Sequence, residues 1–302
     1  MADELLDKFK GSMLASALGD ALGASNLRVG KTLRYTDDTA MMIALAEEII
    51  EDNGIIDPSH LLRKFIEAYE REPWRGYGPG PPRIFRLVKR GFGPFGLDRR
   101  FYPGGSYGNG AAMRITPVGL LYYDDPKILR EMVENASKPT HSHPLGVEGA
   151  YIQARSISIA VKSSRLKGVD PEDFIETLIA ETSAEIFREK LGKVLKLLRG
   201  EPDEVEVVRE LGNGVESFNS VPTAIYSYLR FQDPMKSIRF AVSLGGDRDT
   251  IGCMAGAIAG AHRGLSACPI ELLRRLENTR LIEELAEKLY ELRVGGRSPK
   301  DL

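Results

Sequence analysis

The chain has 302 residues, 42% of them hydrophobic and 28% charged, with a formal net charge of −2. This composition excludes a disordered chain, and a balance so near zero excludes a dedicated nucleic-acid binder, which carries a strong basic excess. Two cysteines, Cys253 and Cys268, are too few for a disulfide framework or a zinc site, and no apolar run reaches the roughly 18 residues of a membrane span. Acids stand at Asp3 and Glu4 where a secretory signal has bases, so the expectation is a soluble cytoplasmic protein with no membrane partner.

In chain order, apolar residues recur at three- and four-residue spacing over 5–22, 39–51, 59–69, 126–136, 146–163, 171–199, 221–231, 234–244, 249–263 and 269–293. Asp57-Pro58, Asp170-Pro171 and Asp233-Pro234 each put a capping aspartate before a first-turn proline. Residues 71–110, rich in Gly, Pro and aromatics, read as one long structureless connection, a length that points to function. No repeat or low-complexity linker interrupts the pattern, and residues 1–302 read as a single all-α domain. Gly11, Ala15, Gly19 and Gly23 recur every four residues, as do Gly252, Gly256 and Gly260. That spacing makes a smooth side on each helix, where another backbone can approach closely.

Two helix starts carry more polar chemistry than capping needs. Tyr35-Thr36-Asp37-Asp38-Thr39 opens one helix and Gly245-Gly246-Asp247-Arg248-Asp249-Thr250 another. One carboxylate suffices to cap a helix, whereas each of these ends offers two, with at least one threonine. Two like charges at about 4 Å cost roughly 4 kcal/mol at an effective dielectric of 20. Divalent cations remove that cost, and all-oxygen donors select hard ions such as Mg²⁺, Mn²⁺ or Ca²⁺. A pair of such ions about 3.5–4 Å apart would hold a substrate oxygen and activate a water.

Three further segments belong to the same picture. Gly104-Gly105-Ser106-Tyr107-Gly108-Asn109-Gly110, running on to Met113 and Arg114, is dense enough in glycine for its amides to approach phosphate oxygens. Phe101, Tyr102 and Tyr107 offer faces for a base. Thr140-His141-Ser142-His143-Pro144 reads either as a polar cap with one hydrogen-bonded histidine or as a histidine presented to a cleft. From Arg71 to Pro103, eight cations face two anions, a local balance of +6. This is either a solvated face or a rim that attracts an anionic ligand.

The segments Leu18 to Gly23 (LGDALG), Tyr35 to Thr39 (YTDDT), Gly105 to Gly119 (GSYGNGAAMRITPVG), Thr140 to Pro144 (THSHP) and Gly245 to Gly260 (GGDRDTIGCMAGAIAG) occur in an order that resembles the ADP-ribosylglycohydrolase family. The resemblance implies an all-helical orthogonal bundle with a two-metal cleft holding Mg²⁺ or Mn²⁺. It implies metal ligands at Thr36, Asp37, Asp38, Asp247, Asp249 and Thr250, the four aspartates also being the candidate catalytic carboxylates. It assigns Gly105, Ser106, Gly108, Asn109, Gly110 and Met113 to the pyrophosphate and distal ribose. Phe101 and Tyr107, with Tyr102 beside them, go to the adenine, and His141 to the cleft. Two departures from the family pattern stand out: residues 24–35 contain no acid, with Leu27 where many members have a flap glutamate, and Arg248 sits between the two aspartates. The implied activity is metal-dependent removal of ADP-ribosyl groups from protein side chains or small ADP-ribose conjugates. The alternatives are a catalytically weak ADP-ribose-binding module and a hydrolase of another ribosyl or nucleotide conjugate.

Overall fold

A computed structural model describes residues 2–295. Its helices, in chain order, are α1 (Ala2–Ala24), α2 (Asp37–Glu51), α3 (Pro58–Arg71), α4 (Gly80–Lys89), α5 (Thr116–Leu121), α6 (Pro126–Ser137), α7 (Pro144–Lys162) and α8 (Pro171–Glu181). They continue with α9 (Glu185–Leu198), α10 (Glu204–Leu211), α11 (Ser217–Phe231), α12 (Pro234–Ser243), α13 (Arg248–Arg263), α14 (Ile270–Leu273) and α15 (Thr279–Val294). Among the described residues no helix is long and apolar enough to cross a membrane. The fold is all-helical, as the periodicity predicts.

The two small-residue ridges meet. α1 and α13 pack antiparallel, so closely that a Cβ on Gly256 would lie 2.2 Å from the Ala15 carbonyl oxygen, and one on Gly260 2.1 Å from that of Gly11. Each glycine in a helix interior costs about 0.5–1 kcal/mol relative to alanine. The return is a backbone-to-backbone approach that no side chain permits. Around this pair, Phe9, Met13, Leu14, Leu18, Ile251 and Ile258 are buried on the outer faces. Two helices sunk in the core in opposite directions place the C-terminal end of α1 beside the N-terminal end of α13. A Cβ on Gly23 would fall 2.3 Å from the Asp249 Cα.

Four expectations are corrected by tertiary contacts. Residues 171–199 form two helices, because Thr182 to Ala184 run extended while the Glu148 carboxylate accepts from the Ser183 amide (3.0 Å) and Arg130 donates to the Glu181 carbonyl (2.8 Å). Residues 269–293 also break: Leu33 pairs with the chain at Arg275 and Glu277, and Asn278 turns through φ +54°. The connection at 71–110 is not structureless, since α4 buries Ile84 and Phe85 within it. α5 and α10 were absent from the periodic segments altogether, both being under nine residues long.

Candidate functional site

Asp20 organises the acidic end of α2. Its fully buried carboxylate accepts from the Thr36 amide (2.9 and 3.0 Å), the Thr39 amide (3.0 Å) and the Thr39 hydroxyl (2.6 Å). Thr36 caps the helix, its hydroxyl accepting from the Asp38 amide at 3.4 Å. Outside this turn, Arg75 donates to the Tyr35 carbonyl (2.9 Å), pairs with Glu72 and Glu277, and lies 4.0 Å over the Tyr35 ring. Asp37 and Asp38 thus project from a segment held on both sides.

The other acidic end is held by different elements. The Asp247 amide donates to the Asn213 carbonyl (2.8 Å), and the Asn109 side chain donates to Asp247 Oδ2 (2.6 Å). Asn109 also reaches Ser220 on α11 (3.1 Å), tying the Gly-rich loop to the metal-ligand candidate. The loop itself is pinned by a second buried carboxylate, Asp98, which accepts from the Ser106 amide (2.8 Å), the Ser142 amide (2.7 Å) and the Ser142 hydroxyl (2.9 Å). Neither Asp20 nor Asp98 was a candidate from sequence. An aspartate inside a helical motif, or in a cation-rich stretch, gives no local sign that it will be buried.

Asp37, Asp38, Asp247, Asp249 and Thr250 line a cavity of about 420 Å³ together with Tyr102, Ser106, Gly108, Asn109, Gly110, Met113 and His141. That is the volume of a small-molecule site. Gly76, Gly78 to Pro81, Arg114, Thr140 and Val215 complete its wall. Thr36, Phe101, Gly105 and Tyr107 are not on the lining. Gly105 backs the loop against Ser142, where a Cβ would meet the hydroxyl at 2.6 Å. Tyr107 is 44% exposed, its ring 5.9 Å from that of Phe218 and 5.5 Å from that of His143. Phe101 is half-buried under the Arg83 guanidinium. Leu27 packs against the core at the end of α1, its amide donating to the Leu22 carbonyl (2.7 Å).

The electrostatics are those of crowded, desolvated acids. Burial first, and the charges of neighbouring aspartates second, push the Asp37 carboxyl up to about 7 and that of Asp38 well above its usual range. Burial likewise raises Asp20 and Asp247 to about 6. Asp38 Oδ2 is buried with no hydrogen-bond partner. His141 is the opposite case: burial, then the charge of Arg114, holds it down to about 3, so the ring is neutral at pH 7. Arg114 donates to the Thr140 hydroxyl oxygen (2.8 Å), and the same hydroxyl is hydrogen-bonded to His141 Nδ1 (2.8 Å). Nε2 of the ring lies against the Gly-rich loop: a Cβ on Gly110 would fall 3.0 Å from it and one on Gly108 3.6 Å. Part of the +6 balance is answered by glutamates, the buried Arg75 by Glu72 and Glu277 and the exposed Lys89 by Glu70.

Comparison with known proteins shows the family of the chain. The sequence model of ADP-ribosylglycohydrolase matches residues 1–299. The chain is 33% identical to the ADP-ribosylhydrolase ARH3 of Xenopus tropicalis, over 95% of this chain and 96% of that protein. It is 30% identical to the ARH3 of Homo sapiens, over 94% and 93% respectively. A solved structure described as an ADP-ribosylglycohydrolase-related protein complex superposes with a TM-score of 0.76 at 26% identity, covering 96% of this chain and 99% of that one. The chain belongs to the ADP-ribosylglycohydrolase family.

Proposed function

We propose that this protein is a hydrolase that releases ADP-ribose from a conjugated acceptor, using divalent cations held in the cleft between α2 and α13. One observation carries the reading: four carboxylates from two helix ends share one cavity, and Asp38 Oδ2 lies buried there without a donor. An unpaired buried acceptor costs about 1–3 kcal/mol, more when charged. The candidate ligands Asp37, Asp38, Asp247, Asp249, Thr36 and Thr250 offer only oxygen donors, which fits Mg²⁺ or Mn²⁺. Asp37, Asp38, Asp247 and Asp249, with Thr36 and Thr250, would hold two such ions. When bound, the ions polarise ribose hydroxyls and ease removal of a proton from water.

The remaining roles fall to the chain's own groups. The Ser106 to Gly110 loop, held by Asp98 and Asn109, would line the pyrophosphate position, its Ser106, Gly108 and Asn109 amides being already donated to Asp98, Ser106 Oγ and the Val215 carbonyl. His141, neutral, lines the same space and would offer one ring nitrogen to the ligand. Tyr107, exposed beside Phe218 and His143, would be a platform for adenine, with Tyr102 on the cavity wall as the other aromatic. Either Asp37 or Asp38 would take the proton of the attacking water, since both lie in an environment that strengthens a carboxylate as a base. A panel of arginine-linked, serine-linked and small ADP-ribose conjugates, assayed with and without Mg²⁺ or Mn²⁺, tests the reading. Metal-dependent release of free ADP-ribose from a member of the panel supports it. Tight ADP-ribose binding with no turnover makes the protein a binding module, and turnover confined to other nucleotide conjugates makes it a different hydrolase.

A further inference from the structure

A second cluster of metal-ligating side chains lies at the far end of α2. Glu48, Asp52 and His60 each offer one ligand atom, and these atoms all lie within 4.8 Å of one another, as no other such group does among the described residues. Glu48 lies in the last turn of α2 and Asp52 caps the end of that helix, its amide donating to the Glu48 carbonyl one turn back. His60 comes from the first turn of α3, placed there by Asp57, which caps that helix and accepts from the His60 amide (3.0 Å).

Glu48 supplies the independent sign of a ligand. It is 1% exposed, and its Oε1 has no hydrogen-bond partner. The cations nearby do not answer it: Lys64 is committed to Glu51 (2.6 Å). His60 Nδ1 lies 3.2 Å from Asp52 Oδ2, and the Glu48 carboxyl lies against Asp52, yet Glu48 Oε1 keeps no hydrogen-bond partner. The cluster is reachable, because the side chains of His60 and Asp52 are 50% and 30% exposed. It is also separate from the cleft. Eleven residues of α2 part Glu48 from Asp37, about 16 Å at 1.5 Å per residue.

We propose that Glu48, Asp52 and His60 form a three-ligand site for a divalent transition-metal ion, Zn²⁺ being the ion whose ligand set they match, and that it ties the end of α2 to the start of α3. One imidazole and two carboxylates leave a fourth tetrahedral position for water. The mixed nitrogen and oxygen donors distinguish the site from the all-oxygen cleft, which suits harder ions. A cation there pairs the buried Glu48 oxygen and cancels the repulsion between two acids one turn apart.

The test follows the ring signals of the four histidines during a Zn²⁺ titration of the full chain carrying Asp249→Asn, which removes cleft metal as a confounder. The His60 signal should shift at one equivalent, with His141, His143 and His262 unmoved. Calorimetry on Glu48→Gln and on His60→Gln, both in that background, should show Zn²⁺ binding weakened by at least the roughly 10- to 100-fold that losing even an outer partner of a metal ligand costs. His60 is half exposed, so His60→Gln leaves the fold intact, and its melting curve without metal should match the parent. A His60 signal that does not move with Zn²⁺, or an affinity unchanged in Glu48→Gln, overturns the site and leaves Glu48 and Asp52 sharing a proton instead.

Discussion

Gly19 and Gly252 touch backbone to backbone: a Cβ built on Gly19 would lie 2.1 Å from the Gly252 carbonyl oxygen. This contact sets how far apart the acidic ends of α2 and α13 stand, since Asp20 follows Gly19 and holds α2, while Asp249 precedes Gly252 on α13. Gly19→Ala should destabilise the protein by about 1–3 kcal/mol through overpacking, despite a gain of about 1 kcal/mol in helix propensity. Urea unfolding with an unchanged m-value checks this. Unchanged or increased stability would show that the helices separate without loss.

Stability should depend on pH and metal together. The carboxyls of Asp20, Asp37 and Asp247 are raised to about 6, 7 and 6 in the folded state, so the folded protein binds protons more tightly than the unfolded chain. Their contribution is therefore full below about pH 4, the unfolded carboxylate range, and is lost as pH rises through the folded values. In chelator, melting should fall between about pH 5 and pH 8 on this account. Mg²⁺ at about 100 times its dissociation constant should restore roughly 2.7 kcal/mol at the upper pH and little at the lower. Asp249→Asn should remove the metal response; identical curves with and without chelator would exclude a metal cleft.

Asp98 is expected to govern ligand affinity without touching ligand. Asp98→Asn leaves one acceptor oxygen for the Ser106 and Ser142 donors and places an amide among them. Hydrogen bonds to charged groups contribute about 1.5–3 kcal/mol each. ADP-ribose affinity by calorimetry should drop about tenfold or more, equivalent to about 1.4 kcal/mol, with the Mg²⁺ effect on melting retained. Loss of both together would mean that Asp98 supports the whole fold rather than the loop.

Tyr107 is the exposed aromatic nearest the Gly-rich loop. Tyr107→Ala should weaken ADP-ribose by about 1–3 kcal/mol if a base stacks there, and leave ribose 5-phosphate, which has no base, unaffected. Equal losses for both ligands would assign the ring to loop support, through its contacts with Phe218 and His143.

The local patterns were legible. Helix spacing, the Asp-Pro caps, the two acidic helix starts and the glycine ridges are each encoded within a few turns of chain, where geometry follows from sequence interval. The acidic starts of α2 and α13 were visible in this way, whereas Asn109 and His141 were named through the family resemblance. What only the tertiary structure decided is which polar groups are buried and by whom they are answered. Glu148 breaks the helix at Ser183 from 35 residues away, and Glu277 meets Arg75 across 202 positions. Asp20 and Asp98 look like ordinary surface acids until the segments that donate to them are folded over them. A carboxylate's environment is set by partners distant in sequence, and no period or motif around it records their arrival.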